Sequence, residues 1–210
     1  MKEYRVGAYG SVFYDQGSAH CVVLLPGFGY LFDRPLLHEA KELALERHYN
    51  VLQLSFGELP YDKQDMKGSI DRCVALACER SASTLVQLPA YELHFIAKSF
   101  GTLLACLLRR QSSNHPVFLL TPLKQTLPWI QEGDRIAYGD GDPFLDLQDL
   151  ETLATLNCRK KIFCPQANHS LCHTDERITQ RYLLEVKEEM QRFLDEFSLE
   201  KEYNKKSDER

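Results

Sequence analysis

The chain has 210 residues, a formal net charge of −5 and a pI of about 5.8. A chain of this length buries about 70% of the surface that its unfolded form exposes, so one domain can fold without a disulfide or a structural metal. The acidic balance, with no basic stripe, argues against a nucleic-acid partner. No apolar run approaches the ~20 residues of a membrane span, and the N-terminus lacks a signal-peptide pattern.

The seven cysteines form an odd, irregularly spaced set that does not suit a disulfide framework. Cys21 and Cys164 lie in apolar runs typical of core strands, where a free cysteine behaves as a small hydrophobe. These features predict a reducing compartment, and we expect a cytoplasmic protein without a membrane partner. The sequence does not indicate an oligomeric state.

Strand and helix patterns alternate along the chain. Residues 3–14 alternate as a hairpin at a sheet edge, and residues 21–25 form a continuous apolar run, typical of a strand covered on both faces. The later patterns predict, in chain order, a helix over 35–48, a strand over 51–56, a helix over 66–86, a strand over 93–97, a helix over 100–110, strands over 116–120 and 135–138, a helix over 146–156, a strand over 161–164 and a helix over 175–197. The alternation predicts a single α/β domain over residues 1–198, with a mostly parallel sheet and helices on both faces, and a frayed polar tail over 199–210.

The segment Ala97-Lys98-Ser99-Phe100-Gly101 carries the strongest chemical signal. It lies between a predicted strand and a predicted helix with almost nothing else between them. A strand that turns into a helix over one serine is a nucleophile elbow, which needs small residues two positions before and after the serine. We therefore predict Ser99 as a nucleophile, with Lys98 exposed beside it.

A serine nucleophile needs a base that takes its proton, and three histidines follow Ser99. His169 comes after a predicted strand, at the edge of the sheet where α/β proteins bind ligands. His115 precedes a strand, at the opposite edge, and His173 begins the terminal helix. We predict His169 as the base and keep His173 as the alternative.

The acid of such a triad precedes the histidine in the chain, after the previous strand. That loop reads Gly139-Asp140-Gly141-Asp142-Pro143 and offers two carboxylates. Asp142 lies deeper in the loop and is our choice, although Asp140 remains a competitor. Both residues also suit turn formation, because aspartate and glycine are common turn residues.

An oxyanion hole needs two backbone N–H groups directed at the developing negative charge. Phe100, immediately after the nucleophile, is one candidate donor. The turn Pro26-Gly27-Phe28-Gly29 after the first core strand supplies the other. Proline has no N–H, so we predict Phe28 as the second donor, with Gly29 as the fallback.

The order strand–PGFG–helix, AKSFG, YGDGDPF and ANHSL resembles the α/β-hydrolase superfamily, and in particular its small lid-less members related to dienelactone hydrolases and esterases. The resemblance covers about residues 21–197 and implies a cap-free domain with Ser99, Asp142 and His169 as the triad. Two positions depart from the pattern. Pro26 stands where the family often has histidine, and Ala97 stands where it usually has glycine.

The resemblance implies a serine hydrolase that cleaves small carboxylic esters or thioesters through an acyl-enzyme. The alternatives are an acyltransferase or peptidase with the same triad, and a non-catalytic binding protein of the same fold. Residues 121–134, between two predicted strands, are too few for a folded cap. Tyr30, Trp129, Phe144 and Leu171 are the candidates for a small acyl pocket.

We expect no cofactor and no metal. His169, Cys172 and His173 are ligand types for zinc, but they crowd into five residues without a distant fourth ligand. The chain also lacks the glycine-rich patterns that bind dinucleotides or phosphates. A small-molecule ester or thioester is therefore the expected partner.

Overall fold

Eight strands form one sheet in the computed structural model, which describes residues 1–62, 64–112 and 115–208. The strands are β1 (Lys2–Val6), β2 (Ser11–Asp15), β3 (His20–Leu25), β4 (Asn50–Gln53), β5 (Glu92–Lys98), β6 (Val117–Leu120), β7 (Arg135–Gly139) and β8 (Lys160–Cys164). They are ordered β1-β2-β4-β3-β5-β6-β7-β8 across the sheet. The hairpin of β1 and β2 is antiparallel and forms one edge, whereas β3 to β8 all run parallel.

Helices cover both faces of this sheet. They are α1 (Pro35–Glu46), α2 (Met66–Leu85), α3 (Phe100–Ser112), α4 (Leu147–Thr155) and α5 (Glu176–Asp208), and a short 3-10 helix spans Lys124–Trp129. Apolar residues of α1 and α5 pack into one buried cluster on one face. Apolar residues of α2, α3, α4 and the 3-10 helix pack into a second cluster on the other face.

Strand β3 lies in the middle of the sheet, and its position between two layers of helices explains its continuously apolar sequence. Cys21, Val23 and Leu25 belong to the cluster under α2 and α3. Val22 and Leu24 belong to the cluster under α1 and α5. Because successive side chains of a strand point to opposite faces, a strand covered on both sides has no solvent-facing position. The predicted α/β fold class is therefore confirmed, with β3 at its centre.

The structure differs from the predicted elements at three places, one of which is the 3-10 helix Lys124–Trp129 in a connection for which the sequence predicts no element. Residues Leu54 and Phe56 are buried, but β4 ends at Gln53 and the two side chains enter the core from a loop. The backbone of α5 continues as a helix to Asp208, through residues for which the sequence predicts a frayed tail. The division of the chain into a domain and a tail stays a prediction.

The seven cysteines are all free thiols in the structure. Among the helices of the described residues, none combines the length and the apolar character that a bilayer crossing requires.

Candidate active site

Ser99 occupies a sharp turn between β5 and α3. Its backbone φ of +54° lies in the left-handed region, which is uncommon for a residue other than glycine. The Ser99 N–H donates to the carbonyl of Leu120 at 2.9 Å, and the Ser99 carbonyl accepts from the N–H of Thr102 at 2.9 Å. Hydrogen bonds on both sides therefore hold the strained serine at the C-terminal end of the parallel strands, as expected for a nucleophile elbow.

Two glycines allow the elbow to approach the turn that follows β3. A Cβ at Gly101 would lie 2.5 Å from the carbonyl oxygen of Leu25 and 2.6 Å from that of Pro26. A Cβ at Gly27 would lie 2.7 Å from the Cβ of Ser99. Any side chain at either position would force the backbone apart, so the turn and the serine are held in contact.

The loop after β8 brings His169 to Ser99. The Nε2 atom of His169 lies 2.7 Å from the Oγ of Ser99, and its Nδ1 atom lies 2.6 Å from the Oδ2 of Asp142. A carboxylate only accepts hydrogen bonds, so Nδ1 carries the proton and Nε2 is left to accept from the serine hydroxyl. The side chain of Asp142 is fully buried, whereas that of His169 keeps 19% of its surface exposed.

The two aspartates of the β7–α4 loop have different contacts. Asp142 faces His169 and also accepts from the N–H of Phe144 at 2.9 Å. Asp140 accepts from the backbone N–H of Gln166, three residues before His169. Asp142 is therefore the aspartate that contacts His169, whereas Asp140 contacts the backbone of the loop that carries His169.

The other two histidines do not reach Ser99. His173 contacts Gln166 through Nε2 at 3.2 Å, and its Nδ1 accepts from the N–H of Asp175 at 2.8 Å. His115 lies beside Glu92, which begins β5 and so stands at the other end of the sheet. Of the three candidates, only His169 contacts the serine.

Lys98 is buried, which corrects the expectation that it is exposed. Only 1% of its surface is accessible, and its Nζ donates to the backbone carbonyl of His169 at 2.6 Å while lying 4.9 Å from the ring centre of Tyr30. Burial lowers the pKa of this lysine to about 7, against the opposing effect of the Asp142 charge. No sequence pattern indicates this burial, because a lysine beside a predicted turn is normally solvated.

The pKa of His169 is lowered from its usual value. Burial is the main cause, and the positive charge of Lys98 acts in the same direction, whereas the hydrogen bond to Asp142 opposes both. The imidazole is therefore neutral, and able to accept a proton, over the whole neutral pH range.

The two predicted oxyanion donors belong to residues whose rings are in contact. The ring centres of Phe28 and Phe100 are 4.2 Å apart, and Tyr61 stacks on Phe28 at 4.1 Å. Phe100 is the first residue of α3, so its N–H has no partner within the helix and lies at the positive end of the helix dipole. Tyr61 comes from a long loop and carries no sequence motif, so sequence analysis could not identify it.

Two of the four predicted pocket residues lie at the site. The ring of Phe144 is 4.5 Å from the ring of His169, and Tyr30 lies under Lys98. The N–H of Leu36 donates to the Tyr30 hydroxyl at 3.2 Å, which fixes that ring in place.

The other two predicted pocket residues have no contact with Ser99, Asp142 or His169 among the contacts of the described residues. Leu171 is fully buried in the core under α1 and α5. Trp129 lies 5.0 Å from the guanidinium of Arg110, near the C-terminal end of α3, about 15 Å along the helix from Phe100. Leu171 was chosen because it is close to His169 in the sequence, and Trp129 was chosen without the 3-10 helix that positions it.

Comparison with solved structures gives the architecture a name. An esterase from Pyrococcus furiosus superposes with a TM-score of 0.66 at 16% identity, covering 93% of this chain and 92% of its own. A lid-less α/β serine hydrolase from Xanthomonas campestris has a TM-score of 0.59 at 15% identity, covering 93% and 94%. The chain has the α/β-hydrolase fold. A dienelactone hydrolase from Anabaena variabilis shares this α/β-hydrolase fold, with a TM-score of 0.59, 15% identity and coverage of 89% and 95%. No protein-family model and no curated protein matches the sequence.

Proposed function

We propose that the protein is a serine hydrolase that cleaves small carboxylic esters or thioesters. The observation that carries the proposal is the unbroken chain of contacts from the Oγ of Ser99 to His169 at 2.7 Å and from His169 to Asp142 at 2.6 Å. Such a chain activates a serine hydroxyl, which is otherwise a weak nucleophile. The likeness to esterases and a serine hydrolase of the same fold supports the same reaction class.

In the first half of the reaction, the Ser99 Oγ attacks the substrate carbonyl while His169 Nε2 takes the hydroxyl proton. Asp142 keeps the histidine oriented and stabilises its positive charge. The tetrahedral intermediate collapses, the bond to the leaving group breaks, and His169 gives the proton to the departing alcohol or thiol. In the second half, a water molecule gives one proton to His169 and attacks the acyl carbonyl. The bond from that carbonyl to the Ser99 Oγ then breaks, His169 returns the proton to the Oγ, and the acid is released.

The negative charge on the tetrahedral intermediate needs two fixed donors. The backbone N–H groups of Phe28 and Phe100 are the proposed pair. Phe100 stands at a helix N-terminus, where a developing negative charge is favoured. The close approach of Gly27 to Ser99 supports the participation of the neighbouring Phe28.

Covalent labelling with a fluorophosphonate tests the proposal, because such reagents react with an activated serine. We expect the wild-type protein to take up one probe and Ser99→Ala to take up none. Ser170→Ala is the matched control, since Ser170 is half-buried in the histidine loop next to the same site, and it should label like the wild type. Labelling that persists in Ser99→Ala would refute the assignment of the nucleophile.

A further inference from the structure

A second cluster of reactive side chains lies at the other end of the sheet. His20 begins β3, Glu92 begins β5, and His94 follows two residues later on β5. His20 is paired directly with Glu92 in the strand register, and residues two apart on a strand share a face. The register therefore brings all three side chains to the same face of the sheet.

The ligand atoms of these three residues converge. His20 Nδ1 lies 2.9 Å from His94 Nε2 and 3.3 Å from Glu92 Oε2. All three ligand atoms are within 4.8 Å of one another. Among the residues that the structure describes, this is the one set of three histidine, cysteine, aspartate or glutamate side chains whose ligand atoms lie so close together. A fourth side chain is close, because His115 Nε2 lies 3.9 Å from Glu92 Oε1.

The spacing and the chemistry suit a transition-metal ion. Ligands placed 2.0–2.1 Å from a tetrahedral zinc ion are about 3.3–3.4 Å apart, which matches the 3.3 Å between His20 and Glu92. The 2.9 Å between the two imidazoles is a hydrogen-bond distance, and it would open by about 0.4 Å when an ion replaces the shared proton. Two imidazoles and one carboxylate are ligand types that zinc prefers, whereas calcium and magnesium prefer sets of oxygen atoms. Both histidines are almost completely buried, so they are held in fixed positions beside the apolar core.

We propose that His20, Glu92 and His94 form a binding site for a divalent ion of the zinc class, with His115 or water as the fourth ligand. An ion can reach the cluster from solvent, because the side chains of Glu92 and His115 keep 38% and 29% of their surface exposed. The triad does not take part, because Ser99 stands five residues beyond His94, about 17 Å along the strand.

The site would link the sheet to the terminal helix. The ring of Phe197 from α5 stacks on His94 with centres 3.7 Å apart, and Tyr49 packs against His20 at 5.4 Å. Fixing the two histidines on an ion would therefore fix the aromatic contacts that hold α5. The expected role of the ion is to stabilise the fold, since a ligand that binds only the folded chain raises its stability.

The three residues of the histidine loop that have side chains of zinc-binding type, His169, Cys172 and His173, do not form a similar cluster. His169 contacts Ser99 and Asp142, and His173 contacts Gln166. The Cys172 sulfur lies 3.6 Å from the carbonyl of Ser170. These three side chains contact separate partners, whereas the ligand atoms of His20, Glu92 and His94 lie close to one another.

Metal titration of the full-length protein tests the site. After EDTA treatment and removal of the chelator, we expect calorimetry to show one equivalent of Zn²⁺ bound, and Tm to rise by about 5–10 °C at a free Zn²⁺ concentration about 100 times Kd. Glu92→Gln, which keeps the shape of a half-exposed side chain, should weaken binding by at least ~10-fold. His169→Gln and His173→Gln are the matched controls, and both should bind Zn²⁺ like the wild type.

Cobalt absorption of the wild-type protein gives a readout that does not depend on a variant folding. Co²⁺ should produce the strong visible bands of a four-coordinate site without the charge-transfer band of a thiolate ligand. The proposal is overturned by absence of stoichiometric binding, by Zn²⁺ affinity unchanged in Glu92→Gln, by a thiolate band, or by loss of binding in either control.

Discussion

The histidine loop is fixed by groups on both sides of His169. Asp142 holds the imidazole from one side, Asp140 anchors the backbone at Gln166, and Lys98 donates to the carbonyl of His169 itself. The positions of three charged side chains thus decide where Nε2 lies relative to Ser99. Each of them makes a separate contact, so their contributions can be separated by substitution.

Substitution of Asp142 should mainly lower kcat, whereas substitution of Asp140 should mainly lower stability. Asp142→Asn should lower kcat by about 10⁴-fold, because an amide no longer fixes the tautomer and orientation of His169 or stabilises its charge. Asp140→Asn should leave kcat within a few-fold of wild type and lower the free energy of unfolding by about 1–3 kcal/mol, since it weakens one charged hydrogen bond to the loop. Ester hydrolysis and urea unfolding measure the two effects, and the reverse pattern would exchange the roles.

The pH profile should report the charge of Lys98. The proposed mechanism needs neutral His169, so we expect kcat/KM to fall on the acid side as pH drops through a pKa below the usual 6.5. Lys98→Met removes a positive charge that disfavours protonation of the imidazole, so the acid limb should move to higher pH. Lys98→Gln also removes the charge but retains a donor for the His169 carbonyl. It should show the same shift of the limb with a smaller loss of kcat.

A titration of p-nitrophenyl ester hydrolysis from pH 4.5 to 9 measures these limbs. An acid limb in Lys98→Met at the same pH as in the wild type would show that the lysine charge does not act on His169. A wild-type rate that is independent of pH between 5 and 8, with no fall at lower pH, would contradict a histidine base.

At the scale of the elements, the connection between β6 and β7 decides how open the site is. Within residues 121–134 the one regular element is the 3-10 helix Lys124–Trp129. Leu123 and Leu127 of this segment are buried in the core under α2 and α3, so they pack downward instead of covering Ser99. The connection forms no cap, in agreement with its length in the sequence.

An open site should favour short acyl chains. Phe144 and Tyr30 provide apolar contact beside His169 and Lys98, but a long chain would extend into solvent and gain little of the ~0.8 kcal/mol that each buried CH₂ contributes. We expect kcat/KM on p-nitrophenyl esters to peak at about C2–C6 for the same reason. A preference for palmitoyl esters, or activation at a lipid interface, would contradict the open site.

The elements themselves could be predicted well from the sequence. Apolar alternation and helical spacing were sufficient for the strands and helices because β3 and β5 are covered on both faces and the helices bury one face. The elbow was predictable because a strand, a serine and a helix adjoin without a loop. The contact of Tyr61 and the end of β4 at Gln53 could not be predicted, since they depend on how an irregular loop folds back onto the sheet.

For the molecule as a whole, a buried lysine has a cost in stability. The pKa of Lys98 is about 7 in the folded chain, against 10.5 in the unfolded chain. Below pH 7 both states hold the proton and the buried charge has its full cost. Between pH 7 and 10.5 the unfolded chain holds more protons than the folded one, so this contribution to stability rises with pH.

Lys98→Met should therefore stabilise the protein at pH 6.5 by an amount on the order of a few kcal/mol, and by less at pH 9.5. Urea unfolding at the two pH values measures the difference. Lys161→Met is the matched control, because the half-buried Lys161 ammonium also donates to backbone carbonyls, at 2.6 and 2.9 Å. The free energy of unfolding of Lys161→Met should be about 1 kcal/mol lower than that of the wild type at both pH values. A stability gain in Lys98→Met that grows with pH would contradict the buried-charge account.

The central claim, that Ser99 forms an acyl-enzyme, is tested most directly by trapping that intermediate. Rapid acid quenching during turnover of a p-nitrophenyl ester, followed by peptide mapping by mass spectrometry, should locate one acyl group on the peptide that contains Ser99. The same reaction should show a burst of nitrophenol equal to the enzyme concentration wherever deacylation is the slow step. An acyl group found instead on Cys172, Lys98 or His169 during productive turnover, with hydrolysis retained in Ser99→Ala, would contradict the account.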